Sequence, residues 1–282
     1  LYARLLRKLV PSRLPPPEPS HLQPGLLEFP EQAIAASLRE LHRVAQLCLH
    51  SLRLAGQTIL FAHAAKDVQT IRLNEQAINE IKLAMKDHLA GLARRRLSKR
   101  QAILAQHIDR CMSDLERVAE HVETLCNLSL RRKRAPEAIV DADSFGQFFA
   151  LYEATLRILR QVAGSFDPER EDVAEIAGQI LKARATHVQA SLEVRNLFND
   201  KVSRRELTPV AGMFFSEYLS ALDRIVRHCR NIALSEQQPQ FWIKRSKLER
   251  QMELAPEAPP PPLVDPRDFL ERLRHAEADD PE

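Results

Sequence analysis

The sequence predicts an all-α fold, and three observations carry that expectation. Only 7 of its 282 residues are glycine, while sheets joined by tight hairpins need glycine at their turns. Aromatic residues make up 5% of the chain, few for strands built on aromatic and β-branched side chains. Apolar residues recur at spacings of three and four through six long segments, as in helices that bury one face. The 44% hydrophobic and 28% charged residues are the balance of a folded globular chain rather than a disordered one.

Residues 11 to 30 hold seven prolines and read as an extended linker. The first helix starts at Pro30, a favoured first-turn residue with Glu31 behind it. It carries an apolar seam through Leu38, Leu41, Val44, Cys48, Leu52 and Ala55. A second helix is expected from about Asp67 to Arg96, closed by the basic run RRRLSKR, and a third from about Ser98 to Leu130. RRKRAP at 131–136 breaks the pattern. Three further helices follow at about Asp143–Ala163, Pro168–Lys201 and Thr208–Leu234, the last two announced by Asp or Thr before Pro. The organisation is a linker (1–29), two three-helix units (30–134 and 135–235), and a peripheral proline-rich tail with short helices (236–282).

The two units read as a duplication. SDLERVAEHVETL (113–125) aligns without a gap on SALDRIVRHCRNI (220–232), matching Leu115 with Leu222, Arg117 with Arg224, His121 with His228 and Glu116 with Asp223. Upstream, NEQAINEI sets Glu75 against Glu171 and Asn79 against Glu175.

At about 100° per residue, Leu104, Cys111, Leu115, Val118, Val122 and Leu125 form one stripe of the third helix. Asp109, Glu116, Glu120 and Glu123 fall in a strip only about 60° wide on another face. Like charges at i and i+4 repel by a few tenths of a kcal/mol, so something cationic should face them: basic side chains of a neighbouring helix, or metal ions. His121 lies at the edge of the apolar stripe, where a hydrogen-bonded boundary histidine is expected.

Phosphate-binding, dinucleotide and nucleophile-elbow motifs (GxxxxGK[ST], GxGxxG, GxSxG) are absent from the sequence. The one ExxH, Glu18 to His21, falls in the proline-rich linker, so a ferritin-like di-iron centre has no ligand set. The four cysteines form no CxxC pair and read as buried apolar residues in a reducing compartment. No run of about 18 apolar residues spans a membrane. With a net charge of +3 and no aromatics among the basic runs, nucleic acid is not expected as a partner. Those runs could instead lie against an anionic membrane surface. The start LYARLLRKLV, without an initiator Met, reads as the cut edge of a longer polypeptide.

A duplicated three-helix unit whose third helix carries DLERVAEH resembles the PhoU family, known by a DLERIGDHA-like segment and ExxxD pairs on neighbouring helices. The lead-in HLQPGLLEFPEQAIAASLREL resembles one branch, the cytoplasmic domain at the C-terminus of bacterial sodium/phosphate cotransporters. The resemblance spans roughly residues 25 to 235. It implies tandem antiparallel three-helix bundles in one elongated domain, a non-enzymatic regulator of phosphate uptake at the cytoplasmic face of the plasma membrane, and a transmembrane phosphate transporter as partner in the same polypeptide. It also implies bound iron or zinc, with Glu75, Asn79, Glu116 and Glu120 as candidate ligands in the first bundle and Glu171, Glu175 and Asp223 in the second. Several positions depart from the family pattern: Asn79 stands for an acid, Glu120 and Glu175 for Asp, and Arg227 brings a fixed positive charge to a ligand's place. A salt-bridged second bundle without metal therefore stays open. So do a free-standing PhoU-type regulator, a metal-free helical adaptor for a partner protein, and assembly into a homo-oligomer.

Overall fold

Three of the helices begin where a side chain satisfies the first free backbone amides. Ser98 accepts from the Gln101 amide while the Gln101 side chain accepts from the Ser98 amide, a capping box. Asp141 accepts from the Ser144 amide at 3.0 Å, and Thr208 from the Ala211 amide at 3.1 Å with Pro209 in the first turn. The resulting order is a 3-10 turn, Pro24–Glu28, then α1 (Pro30–Leu60), α2 (Ala65–Ala93), α3 (Lys99–Arg132), α4 (Ala142–Ser165), α5 (Val173–Ser203) and α6 (Pro209–Glu236). The structure is a computed structural model that describes residues 21–60, 65–167, 170 and 172–237. The expected tail, most of the linker and Glu171 lie outside the described residues.

Two sequence expectations change. The last part of the linker is no extended tether: Pro24–Glu28 coils into a 3-10 turn whose Leu26 and Leu27, with nearby Leu22, rest against the core. The approach is close, because a Cβ at Gly91 would come within 2.8 Å of Leu27. Helix α5 starts at Val173 rather than Pro168; just ahead of it Arg170 grips Asp172 through Nε at 2.9 Å and Nη2 at 3.0 Å.

Helices α1, α2 and α3 pack on one another, as do α4, α5 and α6, giving two three-helix bundles. The bundles share one continuous core, since α3 lies against α6 and α1 against α4. Every residue of the predicted α3 stripe is buried, and so are His107, Met112, Ala119, Leu128 and Ser129 beside it. The buried arc is far wider than the stripe because α3 touches helices of both bundles. The scarce aromatics concentrate in the second bundle, where Phe148, Phe149, Phe215 and Tyr218 interlock at centroid distances of 5.4 to 5.7 Å. Tyr152 bridges the bundles by donating to the Leu52 carbonyl, and its burial raises the phenol pKa. Among the described residues no helix is long and apolar enough to cross a membrane.

Candidate functional site

The acid stripe of α3 faces α2, and α2 answers it with a lysine. Lys82 Nζ stands 2.8 Å from Glu116 Oε1, and the Glu116 side chain keeps only 13% of its exposure. Glu120 is held on its own helix by Arg117 Nη1 at 2.8 Å. The α2 candidates bond to each other, Asn79 Nδ2 donating to Glu75 Oε1 at 2.6 Å. Both candidate pairs thus stand on the facing helices, Glu75, Asn79 and Lys82 on one and Glu116 with Glu120 on the other, but the lysine ammonium sits between the helices.

The second bundle repeats this arrangement. Arg195 on α5 donates through Nη2 to Asp223 Oδ2 at 3.2 Å and through Nη1 to Ser216 Oγ at 3.1 Å. Glu116 and Asp223 are the matched acids of the duplicated segment, so each half holds its acid with a cation from its middle helix. The expectation that Arg227 supplies this charge is corrected: Arg227 is exposed on α6, and the charge comes from Arg195 on the facing helix. The pairs give Arg195 the part in the second bundle that Lys82 plays in the first. Glu175, in the first turn of α5, accepts from Gln179 Nε2 at 3.3 Å. It lies twenty residues before Arg195, about 30 Å along the helix, and is not brought beside Asp223.

Among the described residues, no three His, Cys, Asp or Glu side chains gather closely enough to hold a metal ion. In this arrangement the candidate residues do not fit one: the charge an ion would supply between α2 and α3 comes from Lys82, and between α5 and α6 from Arg195. Neither cation was singled out from the sequence. Lys82 lies seven residues after Glu75, two helical turns along the same face, and that spacing was the available signal.

Where α3 and α6 cross, the duplication becomes visible as geometry. The helices run antiparallel, with Arg131 over the Phe214 ring at 5.8 Å near one end and Cys111 Sγ 3.8 Å from Ser235 Oγ near the other. Between these contacts the matched histidines meet, His121 stacking on His228 with ring centroids 5.6 Å apart. Such a self-meeting of equivalent residues is what a twofold relation between the halves requires. The two rings are not alike electrostatically. His228 Nδ1 is 2.8 Å from Asp114 Oδ1, which also accepts from Asn231 Nδ2 at 3.2 Å. The residue matching Asp114 in the second half is Ala221, so His121 gains no equivalent acid. Burial, then His228 and Arg224, push its pKa down to about 4. His121 is therefore a boundary histidine, held by ring stacking.

A second chain runs inward from half-exposed Asp223 through His187 to Thr155: His187 Nδ1 lies 3.8 Å from Asp223 Oδ1 and its Nε2 2.9 Å from Thr155 Oγ1. Its order resembles a catalytic relay, yet Thr155 has no exposed surface and donates to the Leu151 carbonyl at 3.1 Å. No substrate atom could reach that hydroxyl. The four cysteines are free and buried, and burial raises the Cys48 pKa to about 12, which keeps that thiol protonated.

No family model matches the chain, and no curated protein matches it. Two solved structures share its fold. PhoU from Pseudomonas aeruginosa superposes with a TM-score of 0.59 at 14% identity, over 81% of this chain and 99% of that one. The phosphate transport system regulatory protein PhoU from Streptococcus pneumoniae superposes with a TM-score of 0.55 at 20% identity, over 79% of this chain and 99% of that one. Virtually the whole of each PhoU chain thus has a counterpart here. What this likeness establishes is the fold: the chain is an all-helical protein with the PhoU architecture.

Proposed function

We propose that this chain is a non-catalytic regulator of inorganic-phosphate uptake, the cytoplasmic domain of a transmembrane phosphate transporter at the inner face of the plasma membrane. The observation that carries the reading is the full-length correspondence with two PhoU chains, one of them described as a phosphate transport regulatory protein. The seam segment DLERVAEH and the lead-in at 21–41 support the transporter branch. Equally compatible with the fold is a free-standing PhoU-type regulator that docks on a separate transporter, and the same likeness supports it. In either form the chain acts through its surfaces. Glu116 and Asp223 are paired with Lys82 and Arg195, which favours a regulator that works without metal on its helix faces.

The test is radiolabelled phosphate uptake in cells with and without residues 21–237, at limiting and at abundant phosphate. The reading expects loss of the normal decline in uptake when phosphate is abundant. Uptake that is identical at both phosphate levels with and without the segment would sink it. Expressing the segment as a separate polypeptide distinguishes the two forms, since only a free-standing regulator restores control in trans.

A further inference from the structure

We propose that the end of the molecule formed by the α2–α3 loop and the 3-10 turn is a membrane-contact tip for anionic lipid headgroups. This deepens the reading above by choosing which part of the chain meets the bilayer. Two basic loops compete for that role, one at each end of α3, whose 34 residues separate them by about 50 Å.

In the loop after α3 the first two arginines are engaged by the protein, while Lys133 and Arg134 stay exposed. Arg132 Nη2 donates to the Ile59 carbonyl at 2.9 Å and its guanidinium lies over Phe145 at 5.6 Å. Arg131 covers Phe214 and stands 3.8 Å from Glu217. These arginines tie α3 to α1, α4 and α6 and have little freedom to meet a ligand.

The α2–α3 loop presents more exposed positive charge. From Arg94 to Arg100 it carries five cations and no acid. Arg94, Arg95, Arg96 and Lys99 are exposed. Only Arg95 has an acid partner among the described residues, Glu28 on the 3-10 turn at 2.6 Å. That bond draws in a second observation: the next residue, Phe29, is 58% exposed, an aromatic ring beside a cationic loop. Aromatic rings at headgroup level and cations toward anionic lipid are the two contacts an interfacial segment makes. The shape is also suited to a flat surface. Ser235, one residue before the end of α6, is level with Cys111. The twelve α3 residues before Cys111 therefore extend about 18 Å past the last turn of α6.

The experiment is flotation of the purified full chain with vesicles of phosphatidylcholine, with and without phosphatidylglycerol, and it needs no phosphate transport. The expected result is binding that requires phosphatidylglycerol and falls with salt. The double change Arg94→Glu with Arg96→Glu should lower the partition coefficient at least about thirtyfold, at about fivefold for each cation removed from an anionic surface, with the added acids lowering it further. Arg134→Glu with Arg204→Glu, the same charge change at the opposite end, should stay within about threefold, since those sites would lie several Debye lengths away. Phe29→Ser should weaken binding while keeping its salt dependence. Circular dichroism melting shows that each variant folds. Equal binding to neutral vesicles, equal losses in the two charge-reversed doubles, or a loop that binds a single-stranded oligonucleotide in preference to the vesicles would each overturn the proposal. Failure here would leave phosphate control in cells intact, so the two readings fail separately.

Discussion

If Lys82 stands where a metal ion was expected, it should be energetically coupled to Glu116, and a double-mutant cycle measures that coupling. The pair is 2.8 Å apart, with 36% of the lysine side chain and 13% of the glutamate exposed. Two unit charges at that distance attract by about 1.5 kcal/mol at the dielectric of water and about 6 kcal/mol at an effective dielectric near 20. Desolvation of the more buried glutamate cancels much of this, and exposed pairs measure about 0–1 kcal/mol whereas breaking buried ones costs about 3–5 kcal/mol. A half-buried pair should fall between, at about 1–2 kcal/mol. Lys82→Ala carries no helix-propensity penalty, and Glu116→Gln keeps shape. Urea denaturation of the native protein, both single variants and the double should yield a coupling energy of about 1–2 kcal/mol, with Lys82→Ala melting about 3–6 °C lower. Added Zn²⁺ or Fe³⁺ should leave the native melting temperature unchanged. A coupling under about 0.3 kcal/mol, or a native protein that Zn²⁺ stabilises at low concentration, would refute the reasoning.

The other predictions concern the seam, a turn and a cap. His121 has a folded pKa lowered to about 4 against about 6.5 when unfolded, so the unfolded chain takes up the extra proton between those values. Stability is then full above pH 6.5 and declines as pH falls toward 4, by about 1 kcal/mol at pH 5 after allowance for partial solvent screening; urea denaturation of His121→Phe at pH 7 and pH 5 should show that His121-dependent slope removed. Arg205, at φ 64, holds a left-handed conformation that costs a side-chain-bearing residue about 1 kcal/mol, so Arg205→Gly should raise the denaturation midpoint rather than lower it. Asp141 caps α4 and binds Lys201 Nζ at 2.9 Å. Its Ser144 bonds, then Lys201, depress its pKa, so its contribution is present above the ordinary carboxylate pKa and is lost as pH falls below it. Asp141→Ala should cost about 1 kcal/mol at pH 7 and progressively less at acid pH, read by thermal melts across that range.

Much of the fold is legible in the sequence because helix signals are local. Pro30, the Thr208–Pro209 pair and the seam from Leu38 to Ala55 fix starts and buried faces within a few residues of where they occur. The late start of α5 escaped this reading, since the Asp-Pro signal at 167–168 announces a helix that begins only at Val173. The candidate site was half legible. The match of Glu116 to Asp223 located both paired acids, whereas the match of Glu75 with Glu171 rests on short acidic patterns, and Glu171 lies outside the described residues.

The sequence by itself determined the helical class, the duplication, the apolar seams and the presence of an acid stripe demanding positive charge, since each follows from spacing along a single helix. Only the tertiary structure decided what meets what. It chose Lys82 and Arg195 to neutralise the matched acids, and it set His121 on His228 at the crossing of the two halves. It also engaged Arg132 with the Ile59 carbonyl and the Phe145 ring while leaving Arg94 and Arg96 exposed. Those outcomes depend on the axial offset of one helix against another, a quantity fixed by core packing between segments far apart in sequence and recorded in no local pattern.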